Sequence, residues 1–263
     1  MDPFFRWIAR HHNVMRQFLA LILGTLLGIL RLKTQMSWLL LIPLLLWGVV
    51  LISMLVNYSY LRFQKRTMQI FYEQCDPYPF LEEIRAQFSY KLPRIHDTSL
   101  RINLAMALHN TGETQTAIDV MKNIQVDNKK AINSLSKVIC YNNLSVFYME
   151  TGEFAASEEA YRQFRELLSK LHRKAFEKHC NDMIVSAEAE HLYRVGQYAD
   201  ALEMVKSAQL TTAHARVDGA LFRGKCCIAL GDQNTARQEL NYVIDNGKML
   251  AAVDRAWELL RNM

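Results

Sequence analysis

Histidine and cysteine side chains ligate metals and act as nucleophiles or proton carriers near neutral pH, so their spacing is the first test for chemistry. The densest grouping runs from His172 to Cys180, with Glu177, Lys178 and His179 inside it. His179 and Cys180 are neighbours and point about 100° apart on a helix, so they share no face. His172 and His179, seven residues apart, do share one but lack a third ligand. The spacing reads as a basic helix surface. In the adjacent pair Cys226-Cys227, Cys227 falls in a register otherwise filled by large apolar residues and reads as buried. Cys226 is expected to be the more exposed, without the strongly cationic surroundings that a reactive thiolate needs. His11-His12, between Arg10 and Arg16, reads as solvent-facing. With Cys75, Cys140 and Cys180 the count is five, odd and without a CxxC pair. That pattern fits reduced, buried thiols in a cytosolic domain better than a disulfide framework. No phosphate-cradling glycine loop, dinucleotide fingerprint or nucleophile elbow is present. The chain reads as non-enzymatic, with no catalytic residue, cofactor or metal expected.

The elements behind these side chains follow from charge and apolar runs. Residues 1–70 hold eight Lys/Arg and one acid, Asp2, a net charge of +7, whereas residues 71–263 hold 23 Lys/Arg and 25 Asp/Glu. The formal +5 is therefore gathered around the apolar segments, as at an anionic bilayer face, and is not the diffuse basic surface that nucleic acid requires. Met36 to Val56 is 21 residues without a charge. As a helix it is about 31 Å long, enough for a hydrocarbon core of roughly 30 Å. Trp38 near one end, with Tyr58 and Tyr60 past the other, suit the interfaces, and Pro43 is tolerable within such a helix. Gln17 to Leu30 gives 14 uncharged residues between Arg16 and Arg31, whose side chains can reach outward to extend the span. Ala20, Gly24 and Gly28 lie four apart on one face, a spacing that lets membrane helices approach closely. Two spans, about 17–31 and 36–56, joined by a short link, form a hairpin over residues 1–66. Lys/Arg residues fall three before it (Arg6, Arg10, Arg16), two in the link (Arg31, Lys33) and three after it (Arg62, Lys65, Arg66). This distribution places both termini in the cytoplasm. If only the second segment spans, the large domain lies on the opposite side.

Residues 67–96 read as an adaptor. Asp76-Pro77 opens a helix, with Phe80, Leu81, Ile84 and Phe88 on its apolar face, that ends before Pro93. From residue 97 to 263 a pattern recurs around Gly112, Gly152, Gly196 and Gly231, spaced 40, 44 and 35 apart. Seven residues before each Gly is a small residue (Ala105, Ser145, Ala189, Gly224), and five after it another (Ala117, Ser157, Ala201, Ala236). The Gly suits a turn with positive φ, and the small residues let the helices on either side cross closely. The two longer spacings require extended helices.

This progression, clearest in Gly152-Glu153-Phe154 and in Gly196 to Leu202, resembles the tetratricopeptide-repeat family. No repeat carries the family's closing Pro. The resemblance implies, after the membrane hairpin, a tetratricopeptide-like α-solenoid of about four repeats with a capping helix near Lys248–Leu260, so the whole architecture is all-α. It also implies a concave face built from the first helix of each pair. Aligning the repeats puts Asn103, Met106, Asn110, Asn143, Val146, Glu150, Glu190, Tyr193, Arg194 and Lys225 there. Ile102 and Met106 stand where a peptide-carboxylate clamp would need cationic and Asn residues, so a helix or an extended protein segment fits this face better. The expected partners are proteins and the lipid bilayer, not nucleic acid, and the expected role is a membrane-tethered scaffold. Two spans followed by such repeats also resemble an accessory subunit of a membrane complex such as a polysaccharide synthase, and an enzyme with an unrecognised site is the remaining alternative.

Overall fold

The structure, a computed structural model, describes residues 3–34, 37–90, 97–127, 134–170 and 173–263, with no strand among them. The side chains of His172 to Cys180 lie outside what is described. Helices α1 (Pro3–Arg10), α2 (His12–Thr34), α3 (Trp38–Gln74) and α4 (Pro77–Phe88) come first. Four pairs follow: α5 (Asp97–Asn110) with α6 (Thr114–Asp127), α7 (Ser134–Glu150) with α8 (Phe154–Lys170), α9 (Arg173–Arg194) with α10 (Tyr198–Ser207), and α11 (Ala213–Ala229) with α12 (Gln233–Asn246). Helix α13 (Ala251–Arg261) closes the chain.

The chain divides into two compact units. The first comprises residues 1–68 and 85–97. Two of its helical stretches, Asn13–Thr34 and the one beginning at Leu41, are long and apolar enough to cross a membrane. Their apolar side chains are exposed, Leu21 by 68%, Trp47 by 68% and Leu55 by 64%, unlike a core helix of a soluble domain. Ser37 caps α3, its Oγ accepting from Leu39 N. Helix α3 does not stop where the apolar run stops. It continues to Gln74, because residues 57–74 contain neither Gly nor Pro, and helix formation needs no apolar face all round. In this unit Tyr60 and Phe63 are buried with Tyr90 packed against them, and Gln64 donates to Gln87 Oε1 at 2.7 Å.

The second unit holds residues 69–84 and 98–263. Cys75, at φ 52°, ends α3 in the left-handed region, and Asp76 Oδ1 then accepts from Tyr78 N at the start of α4, as the Asp-Pro pair leads one to expect. Phe80, Leu81 and Ile84 are buried, whereas Phe88, expected with them, is 41% exposed at the helix's C-terminal end.

Each pair turns in the same way. Gly112, Gly152, Gly196 and Gly231 have φ of +90°, +78°, +81° and +79°. The residue after each Gly donates its N–H to the carbonyl five residues before it, for example Glu113 to Leu108 O at 2.8 Å. The Gly itself donates back to the third residue before it, Gly112 to His109 O at 3.1 Å. This double bond satisfies carbonyls that a helix end would otherwise orphan. The small residues meet where the helices cross: Ala105, Ala117, Ala201 and Ala236 are fully buried, and Ser157 Oγ donates to Ser145 O at 2.6 Å. At Gly224 a Cβ would come within 2.8 Å of Leu240 Cδ2, so a larger residue at the α11–α12 crossing would force the buried Leu240 side chain to shift. Between repeats the core is filled by sets such as Val138, Tyr161, Phe164 and Ala187, and Ala189, Ala201, Val205, Phe222 and Cys226. Helices α7, α8 and α11 have 17 residues each, and α9, within the 44-residue spacing, is the longest of the array at 22.

Candidate functional site

The polar residues on the A helices (the first helix of each pair) converge with the C-terminal helix. Arg255 of α13 donates through Nη1 to Glu150 Oε1 of α7 at 2.7 Å. His109 of α5 stacks on Phe147 with ring centroids 4.3 Å apart, and its Nδ1 lies 3.6 Å from Glu150 Oε2. Asn110, at the end of α5, offers Oδ1 to His214 Nε2 at 2.9 Å, and His214 Nδ1 lies 3.1 Å from Asp218 Oδ2 on the same helix, α11. The His214 ring packs against Phe71, centroid to centroid 4.5 Å, and Phe71 stacks on Phe80. Ala251 at the start of α13 faces the Gly112 turn. The first repeat is thus tied to the fourth and to α13 across more than 100 residues of chain, and much of the polar inner face is already bonded to the protein's own groups.

Burial sets the charge states there. Desolvation, reinforced by Arg255, His214 and Lys225, holds the His109 imidazole well below its usual pKa, so it is neutral near pH 7. The charged partner of Glu150 is therefore Arg255, not His109. Burial raises the carboxyls of Glu150 and Glu190 above the usual range, against the pull of Arg255 and Lys225 on the first and of Lys225 and Arg194 on the second. Glu150 Oε2 makes no hydrogen bond although buried.

The residues read from the sequence as partner-binding fall in three settings. Asn110, Glu150, Glu190 and Lys225 belong to this inner electrostatic cluster. Asn103 is buried in α5, Met106 and Val146 are half-buried, and Asn143 keeps a buried Nδ2 without a partner. Tyr193 and Arg194 line a cleft between the Gly152 and Gly196 turns, and Arg194 also acts on Glu190 of the inner cluster. The sequence reading missed Arg255, His214 and Asp218; the only available signal was that α13 carries Ala252 and Ala256 on one face, marking it as a helix that packs closely. Cys226 corrects an expectation: it is fully buried, not the more exposed of its pair, because it faces the core formed with Ala189 and Phe222. Cys75, Cys140, Cys226 and Cys227 are all free and buried, and burial pushes the Cys140 and Cys226 thiols up to about 12.

The family model of the tetratricopeptide repeat matches residues 139–167, from within α7 through the Gly152 turn into α8. Repeats of this kind typically serve as non-catalytic scaffolds for protein–protein interaction. No curated protein and no solved structure was found to match the chain. The protein is tetratricopeptide-like, all-α and built on helical repeats.

Proposed function

We propose that this protein is a membrane-anchored scaffold: α2 and the first part of α3 cross the bilayer as a hairpin, and the repeat array binds protein partners at the cytoplasmic face. The observation that carries this reading is the succession within one chain. Two long helices with exposed apolar surfaces precede an array containing a tetratricopeptide-repeat match. Tethering raises the local concentration of a modest binder, so the array need not bind tightly. Asn103, Met106, Asn110, Asn143, Val146, Glu150, Glu190, Tyr193, Arg194 and Lys225 are the contact residues of this proposal. A partner that uses Glu150 or Asn110 must displace Arg255 or His214, so it has to offer a cation to the first and a hydrogen-bonding group to the second.

The test is affinity purification of the intact chain from detergent-solubilised membranes, beside a version carrying Glu150→Ala, Glu190→Ala and Lys225→Ala. The scaffold reading expects a defined set of copurifying proteins, depleted in the variant. Integral membrane proteins in that set indicate the accessory-subunit form. A set unchanged by the three substitutions contradicts binding through the inner face.

A further inference from the structure

The unit formed by residues 1–68 and 85–97 carries eleven Lys/Arg against two acids, Asp2 and Asp97. Even with both acids paired, nine positive charges are left over. In the hairpin only two of the eleven, Arg31 and Lys33, lie in the link between the spans. The excess therefore gathers on the side where both ends of the hairpin emerge. Orientation needs only a small bias of this kind, whereas a surplus this large makes a surface that attracts anions.

Helix α1 shapes that surface. With eight residues it is about 12 Å long, too short to cross a bilayer, and it is separated from α2 at His11. Arg6 and Arg10, four apart, share one face and are both exposed. Ile8 lies on the opposite face and is buried, so α1 is held against the protein by that side. Trp7, on the flank between them, is 50% exposed. Its ring lies 5.1 Å from that of His11, whose Nδ1 is 3.0 Å from Trp7 O, which fixes the indole at the junction with α2. Cations on one face with an indole beside them suit a helix lying in the headgroup layer. Helix α3 reaches the same side as it leaves its apolar run: Arg62 and Lys65 are exposed there, and Tyr58 Oη accepts from Arg62 Nη1 at 3.4 Å.

We infer that this surface binds acidic phospholipids, with Arg6, Arg10, Arg62 and Lys65 as the headgroup contacts and Trp7 seated at the glycerol level beside them. A guanidinium offers a phosphate two parallel N–H donors, and each cation near an anionic leaflet strengthens the attraction roughly fivefold. A lipid fits better than nucleic acid because exposed apolar side chains adjoin these cations. Val14 lies one turn from Arg10, and Leu61 one turn from Lys65, and they are 61% and 58% exposed. The ligand must therefore cover charge and apolar surface together. The inference rests on the hairpin of the scaffold reading and adds the lipid class that the hairpin selects.

The full-length chain is given Trp38→Phe, Trp257→Phe and either Trp7→Phe or Trp47→Phe, which leaves one of its four tryptophans as a reporter. Each version is reconstituted into nanodiscs of phosphatidylcholine and phosphatidylglycerol in which one lipid or the other is brominated. Trp47, 68% exposed within the apolar run of α3, reports the span and should be quenched equally by either brominated lipid. Trp7 should be quenched with a preference for phosphatidylglycerol of about fivefold or more. Arg6→Gln combined with Arg10→Gln should bring that preference close to one, whereas Lys33→Gln, on the far side, should leave it unchanged. Equal quenching of Trp7 by both lipids, or none, with Trp47 quenched, overturns the inference and leaves the hairpin standing. A preference that survives the paired arginine substitutions overturns the assignment to α1. Trp47 quenched by neither lipid removes the hairpin and the inference together. Loss of the preference in millimolar inorganic phosphate, at constant ionic strength, would make a soluble anion the ligand and overturn the inference.

Discussion

Arg255, on the last helix, donates to Glu150 at 2.7 Å across 105 residues of chain. Both side chains are mostly buried, 24% and 15% exposed, so neither charge is satisfied by water if the other is removed. Arg255→Ala should therefore cost about 2–4 kcal/mol, because an uncompensated buried carboxylate remains. The double variant Arg255→Met/Glu150→Met should recover much of that loss. Thermal melts of the two variants in detergent check this, and a double variant no more stable than the single would show that the contact is not what holds α13.

Gly152 and Gly196 have φ of +78° and +81°, and nothing lies within 4 Å of where a Cβ would sit. The penalty for substitution is thus purely one of backbone conformation. Gly152→Val and Gly196→Val should each cost about 1–3 kcal/mol, and Gly196→Asn distinctly less, since Asn tolerates the left-handed region. Equal melting temperatures for Gly196→Val and Gly196→Asn would contradict a turn set by φ.

His109 gives the array a pH dependence of definite sign. Burial holds its folded-state pKa well below the usual imidazole value of about 6.5, so on acidification the unfolded chain takes up a proton that the folded chain resists. The stability it contributes is present above about pH 6.5 and lost as pH falls through that value. Glu150 and Glu190 act oppositely: their carboxyls are raised above 4.5, so they favour the fold at low pH and lose that contribution as pH rises through the raised values. His109→Gln should remove most of the fall in melting temperature between about pH 7.5 and about pH 5.5, whatever its effect on absolute stability. Parallel profiles for the wild type and His109→Gln would assign the acid sensitivity elsewhere.

The turns were legible in the sequence because their physics is local: four glycines, each flanked by small residues at fixed distances, can hardly serve anything but a left-handed turn between close-packed helices. The end of α3 was legible only in part. Asp76-Pro77 marked the start of α4, but the end of the apolar run at Val56 bounds only the expected span and does not show that the helix runs on to Gln74. Arg255, His214 and Asp218 could not be read, because their partners are set by how four repeats curve together, a property no single repeat encodes. The same holds for Cys226, whose burial depends on the neighbouring repeat's Ala189.

The central claim, a membrane hairpin holding the array at the cytoplasmic face, is tested most directly by side-specific labelling of intact cells. Thr34→Cys places a thiol at the exposed end of α2, and Met249→Cys places one at a position 57% exposed beside α13. Neither probe is masked by packing, and the wild-type chain supplies the background from its own cysteines. With an impermeant maleimide, the account predicts labelling at residue 34 and protection at residue 249 until the membrane is permeabilised. Labelling at 249 with protection at 34 would place the array outside the cell and contradict the account.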